Sequence, residues 1–231
     1  MNRTEKRRGA PTTTDHDALP VEEAVRAVRT SSRRKQVLAA AVQDMQSTGF
    51  HQMSMQALAD EAGVSVALIY KYFGGKEEIL LATIVSILDT FRDQIEPAME
   101  AAGDDPVERL AAGIRRYIEI VDENLDATVL TYRESRTLDA DGRARIKELE
   151  VETSAPLRSA LDDGIAAGIM EPIDVDLMVF DILLLAHGWA LKHWHFGSIY
   201  TLDDYIRLQT RLVLNTTLKA ERCGEYAHFL R

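Results

Sequence analysis

The sequence predicts an all-α fold. Beyond Ser32, apolar residues recur at three- and four-residue spacing along almost the whole chain. No segment alternates apolar and polar residues as a half-buried strand would. Gly49, Gly74-Gly75, Gly103 and Pro106 fall between the periodic segments, where helices start and stop. With 231 residues, 46% of them hydrophobic, the chain can bury a real core.

The elements follow in order. Residues 1–19 are polar and aperiodic and read as a disordered arm. Its Arg3, Lys6, Arg7 and Arg8 suit either solvent or a phosphate backbone. Pro20 opens a short amphipathic piece with Val21, Val25 and Val28 on one face. The first full helix carries Val37, Leu38, Ala41, Val42 and Met45 and stops at Gly49. Ser54 is placed to cap a short second helix, Met55 to Ala62, and Ser65 a third, Val66 to Phe73, which Gly74-Gly75 ends. A fourth runs from Lys76 toward Ala102 with a bend expected near Pro97. Asp105-Pro106 is a helix-opening signal. Further helices are expected over 106–123, 125–138, 142–168, 174–196 and 202–221, with Pro156 kinking or splitting the third of these.

Composition excludes several classes. Cys223 is the lone cysteine, so no internal disulfide can form, which fits a reducing cytoplasm. The N-terminus lacks an apolar leader region. The apolar run Ile182–Leu191 carries His187, and no stretch reaches the roughly 18 apolar residues of a membrane span. A cytoplasmic protein without a membrane partner is expected. The net charge is −10, but residues 1–76 carry 11 Lys/Arg against 8 Asp/Glu, whereas residues 77–231 carry 16 against 29. A cationic head on an anionic body orients the head toward a polyanion. His193 and His195 are two apart and point to different sides of a helix, so they cannot share a metal. HExxH and Gly-rich phosphate loops are absent. No catalytic residue, cofactor or metal is expected.

The informative segment is Phe50–Ile79. The turn Ala62-Gly63-Val64-Ser65 is short enough to hold two helices at a steep angle, with Gly63 free to take a positive φ. Leu58, Val64, Ile69 and Phe73 are placed to form a compact core. At 100° per residue, Ile69 and Phe73 share the buried side of the third helix, and Ala67, Tyr70 and Lys71 gather opposite. Val66 borders that outer face and Tyr72 flanks it. Ala67 permits close approach to base edges, Tyr70 can donate to a phosphate, and Lys71 can reach either. Lys76 opens the fourth helix, where a phosphate would be held by the lysine and the free N–H groups together. Ser54 can touch a phosphate as well as cap.

This pattern resembles the DNA-binding domain of the TetR family of bacterial regulators. It stands here as Ser54, Leu58-Ala59, Ala62-Gly63-Val64-Ser65, Ile69-Tyr70, Tyr72-Phe73 and Lys76-Glu77. Leu68 stands where the family often has Thr and Tyr72 where it often has His, so the operator sequence does not carry over. The resemblance implies about nine helices, the last two long ones pairing across a dimer axis. The DNA-facing set is Ser54, Ser65, Val66, Ala67, Tyr70, Lys71, Tyr72 and Lys76. The expected domains are a basic arm over 1–31, a helix-turn-helix domain over 32–76, a ligand-binding and dimerisation domain over 77–222 and a tail over 223–231.

In the body, Leu177, Phe180, Leu184, Leu191 and Trp194 mark one amphipathic helix, and Ile206, Leu208, Leu212, Val213 and Thr216 another. Two such helices suit a four-helix homodimer interface or an internal core. Tyr132, Arg133, His187, Trp189, Lys192, His193 and Trp194 are polar or aromatic groups within apolar helices, the composition of a ligand pocket. The segment Thr131-Tyr132-Arg133-Glu134-Ser135 and the Trp189/Trp194 helix are similar to the acyl-CoA-sensing branch of that family. The expected protein is a ligand-released homodimeric repressor on double-stranded operator DNA. Its effector would be an elongated hydrophobic molecule, an acyl-CoA or similar apolar acid derivative, with Arg133, Lys192 and His193 at the pocket mouth. The alternative is a helical dimeric carrier without DNA binding, for which Tyr70, Lys71 and Lys76 have no use.

Overall fold

The computed structural model describes residues 21–231, with side chains from Arg29 onward. The expected arm over residues 1–20 and the face formed by Val21, Val25 and Val28 therefore lie outside the described residues. The chain divides into two units, residues 1–35 and 36–231, and the buried core of the described residues belongs to the second.

The described residues form eleven α-helical segments and no named strand. Helix α1 spans Val21–Thr48, so the amphipathic piece after Pro20 and the first full helix are one element. Gly49 ends it at φ +85°. The next three helices are α2 (Met55–Glu61), α3 (Val66–Phe73) and α4 (Lys76–Ala101). The body continues with α5 (Pro106–Glu123), α6 (Leu125–Glu134), α7 (Ala140–Ala166) and α8 (Val175–Leu191). It closes with α9 (His193–Phe196), α10 (Leu202–Thr217) and α11 (Ala227–Leu230).

The starts are side-chain capped. Asp105 accepts from Val107 N at 2.8 Å and Glu108 N at 3.1 Å ahead of Pro106. Asp139, Asp174 and Thr201 cap α7, α8 and α10 in the same way. These oxygens satisfy amides that no helix turn can reach. Helix α4 is central and packs most extensively on α5 and α7. Its Ile84, Ile95 and Met99 are buried with Leu110 and Ile114 of α5 and Leu157 and Leu161 of α7. No helix among the described residues is long and apolar enough to cross a membrane.

Three expectations are corrected. Pro156 does not split α7, which runs unbroken through it. A proline removes one helix hydrogen bond. That bond would have gone to the Glu152 carbonyl; in the same turn the Thr153 hydroxyl donates to the Glu150 carbonyl at 3.2 Å and the Ser154 hydroxyl to that of Val151 at 2.9 Å. The helix expected over 174–196 breaks at Lys192, whose φ and ψ of −122° and 24° leave the helical range. The helix expected to reach 221 stops at Thr217, where Met170 and Leu218 form an isolated antiparallel bridge flanked by Glu171 N–Thr217 O at 2.8 Å. Residues 223–231 pack back on the start of α5: buried Tyr226 donates to Asp105 at 2.8 Å, and His228 meets Glu108 at 2.9 Å.

Candidate nucleic-acid interface and ligand cavity

Helices α2 and α3 are joined by a turn that Gly63 makes possible at φ +63°. Ser54 Oγ accepts from Ala57 N at 2.9 Å, and Ser65 Oγ accepts from Leu68 N at 3.2 Å. Each hydroxyl thus fixes one helix start and remains on the surface. Leu58 and Ile69 are fully buried, Phe73 nearly so, and Val64 packs against them half-buried. That core leaves Ala67, Tyr70 and Lys71 exposed together, Tyr70 at 51%. Val66 and Tyr72 are half-buried against the core, Tyr72 edge-on to Phe73 at 6.4 Å, so they border the exposed face rather than form it.

Lys76 is the first residue of α4, and its N-cap, Gly75, offers no side-chain bond. Its Nζ lies 3.5 Å from the His51 carbonyl, which holds the ammonium at the head end of the helix. Glu78 curls back over the turn, close enough that a Cβ on Gly75 would stand 2.9 Å from its Oε2. A side chain at Gly75 would displace that carboxylate, which shares this end of the helix with Lys76.

Between Ile84 and Phe91 along α4 the body opens into a cavity of about 260 Å³. Ile84, Ile87, Leu88 and Phe91 form its α4 wall, and Arg143, Ile146, Lys147 and Glu150 its α7 wall. Both sets have the i, i+3, i+4, i+7 spacing of a single helix face. Tyr117 of α5, Thr128, Thr131 and Tyr132 of α6, Ser135 just beyond it, and His187 of α8 complete the lining. His187 Nε2 lies 3.2 Å from the Tyr117 hydroxyl and Nδ1 2.9 Å from that of Tyr132. Tyr117 stacks on Phe91 with ring centroids 4.2 Å apart. Burial lowers His187 to a pKa of about 4, so the imidazole is neutral near pH 7. Burial also raises both tyrosines and the Glu150 carboxyl above their ordinary values.

Residues 37–83 match the model for bacterial regulatory proteins of the tetR family, and residues 103–195 match the tetracyclin repressor-like C-terminal domain. The HTH-type transcriptional regulator HbdR of Aromatoleum sp. is 36% identical over 189 residues, 82% of each chain. The HTH-type transcriptional regulator BetI of Rhizobium meliloti is 36% identical over 197 residues, 84% of this chain and 93% of its own. The chain belongs to the TetR family of bacterial regulatory proteins. A crystal structure of FadR from Bacillus subtilis in complex with stearoyl-CoA matches this TetR-family chain with a TM-score of 0.63 and 25% identity, over 76% of this chain and 97% of that one. The protein is thus a DNA-binding transcriptional regulator with the ligand-binding body of its family.

Within this TetR-family body the sequence-predicted ligand residues separate. Tyr132 and His187 line the cavity. The other five do not. Trp189 is 3% exposed, donates Nε1–H to Asp122 at 2.7 Å and packs between His193 and Tyr205, so it clamps α8 to α5 and α10. Arg133 is exposed and lies 3.9 Å from Glu134. Lys192, His193 and Trp194 sit at and beyond the α8 break, which turns them away from the cavity wall; Trp194 is 77% exposed. The cationic groups at the cavity are instead Arg143 and Lys147. The signal that finds them is the repeated spacing from Arg143 to Glu150, a mixed polar face on a helix otherwise read for its proline.

On the far side of α8, Leu177, Phe180 and Leu184 are exposed, as is Leu212 of α10. Helix α8 also buries Val179, Ile182, Leu183 and Ala186, so it is apolar on both sides. Such a helix leaves part of its apolar surface uncovered in a single chain.

Proposed function

We propose that the protein is a homodimeric repressor whose paired α3 helices read operator DNA and whose cavity takes an acyl-CoA that releases it. The observation that carries this is α4. It begins with Lys76 beside the DNA-facing turn and, roughly 12 to 22 Å on at 1.5 Å per residue, supplies four side chains of the cavity wall. A ligand pressing on Ile84, Ile87, Leu88 and Phe91 biases the position of Lys76 and of α3, which packs on α4.

The DNA contacts fall to Ala67, Tyr70 and Lys71 at base edges and phosphates, with Ser54, Ser65 and Lys76 at the backbone. Val66 and Tyr72 shape the rim of that surface. The exposed leucines of α8 and α10 meet their own copies across a two-fold axis. The protein acts in the cytoplasm, where its operator lies.

An apolar wall with Arg143 and Lys147 beside it suits a molecule with an apolar end and an anionic end. In a body of strongly negative charge, two adjoining cations give an anion a local foothold. At about 260 Å³ the cavity falls just below the roughly 300–1,000 Å³ range of ligand sites, which favours a short acyl group over the elongated one expected from sequence. The test is fluorescence anisotropy on DNA from upstream of the protein's own gene, titrated with short acyl-CoAs, the free acids and cationic dyes. Release by acyl-CoA is expected. Release by the dyes alone would contradict the reading.

A further inference from the structure

The two hydrogen bonds around His187 share three protons: one on the neutral imidazole and one on each phenol. One phenolic O–H is therefore left over, and two arrangements exist. If Nε2 carries the proton, it donates to Tyr117, Tyr132 donates to Nδ1, and the unused O–H belongs to Tyr117. If Nδ1 carries it, it donates to Tyr132, Tyr117 donates to Nε2, and the unused O–H belongs to Tyr132.

Burial decides between them. Tyr117 borders the same cavity as Tyr132 but is only 1% exposed, and its hydroxyl has no hydrogen-bond partner but His187 among the described residues. An unused O–H there would be stranded, which disfavours the first arrangement by roughly tenfold to a hundredfold. Tyr132 is 44% exposed and lines the cavity, where its O–H can meet water or a ligand. Glu150 lines the same cavity but makes no hydrogen bond to either phenol. The low pKa that burial gives His187 keeps the imidazole neutral, so the proton count holds near neutral pH.

We infer that the Tyr117–His187–Tyr132 array is polarised toward the cavity, with Tyr132 as the terminal donor, and that it selects an effector bearing an acceptor oxygen such as a thioester carbonyl. Tyr117 and His187 act as positioning residues and Tyr132 as the contact. The chain of bonds strengthens its last donor, because a phenol that accepts a hydrogen bond donates a better one. The choice of a thioester rests on the proposed acyl-CoA function; the direction of the array does not.

Two measurements test it on the full-length dimer. The first is imidazole ¹⁵N NMR, with the His187 signals assigned by their loss in His187→Gln. A proton on Nδ1 is expected, and a proton on Nε2 overturns the inference. The second compares butyryl-CoA with S-butyl-CoA, a thioether that lacks the carbonyl, by calorimetry. The wild type should prefer butyryl-CoA by about tenfold, as one hydrogen bond permits, and Tyr132→Phe should bring the ratio near one, with the fold retained by circular dichroism but a lower thermal midpoint because His187 loses its partner. Equal binding of the pair by wild type, or an intact preference in Tyr132→Phe, overturns the inference. If neither compound binds, the acyl-CoA reading fails, and the NMR result alone decides the polarity of the array.

Discussion

The head and the body put tyrosine to opposite uses. Tyr70 stands half in solvent on α3, held up by Ile69 and Phe73 beneath it. Tyr117 is buried, stacked on Phe91 and bonded to His187. The head presents its exposed trio Ala67, Tyr70 and Lys71 outward from one short, capped helix, within five consecutive residues. The body turns polar groups inward, and its cavity takes one to four residues from each of five helices between Ile84 and His187. An interface for a large, regular polyanion can be local, whereas enclosing a small molecule needs walls from several directions.

The sharpest way to break that contrast is at α3. Tyr70→Ala combined with Lys71→Ala should cost about a thousandfold in operator affinity, roughly 2 kcal/mol for each contact. Helicity and dimer mass should not change. Full affinity in a gel-shift titration would remove α3 from the interface. The next effect belongs to the body. The folded His187 pKa of about 4 lies below the 6.5 of an unfolded histidine. Above pH 6.5 both states are neutral there. Between 6.5 and 4 the unfolded chain binds a proton that the cavity refuses, so stability falls by an amount of the order of 3 kcal/mol. Urea unfolding at pH 7 and pH 4.5 should show less of this loss in His187→Gln; an equal loss would mean that His187 is not the group responsible.

Smaller effects sharpen the assignment of surfaces. Leu184→Glu or Leu212→Glu should weaken dimerisation by tens of fold, about 2 kcal/mol for a large side chain withdrawn from an interface. Sedimentation would show this as monomer at micromolar concentration. Arg143→Ala and Lys147→Ala should each reduce acyl-CoA affinity by about tenfold, the scale of one charge-assisted contact. Arg133→Ala and Lys192→Ala should leave it unchanged. Trp189→Phe should cost about 1 kcal/mol of stability through its lost bond to Asp122 without altering effector affinity.

The same contrast explains what could be read in advance. The caps Ser54 and Ser65, the Gly63 turn and the exposed trio Ala67, Tyr70 and Lys71 all follow from short-range rules: spacing, capping and φ. The ligand site does not follow from such rules. Trp189, Lys192, His193 and Trp194 stand out in the sequence, but prominence says nothing of direction. A break at Lys192, which no Gly or Pro announces, turns three of them away from the cavity, and Asp122 takes up the indole N–H of the fourth. Arg143 and Lys147 look like solvated charges until α7 is laid against α4. Tyr132 and His187 lie 55 residues apart and meet only in the fold. Helix ends were legible where a cap or glycine marked them, and illegible at Thr217, where a bridge to the strand-like segment at Met170 takes over.

The claim that joins head and body is release of DNA by a ligand held at Arg143 and Lys147. The direct measurement is a butyryl-CoA titration of the operator complex, followed by anisotropy, in wild type and in the Arg143→Ala, Lys147→Ala double variant. Without ligand both should bind the operator equally. Half-release of the variant should need about a hundredfold more butyryl-CoA, two tenfold losses added independently. Equal release of the two proteins would place the effector elsewhere and contradict the account.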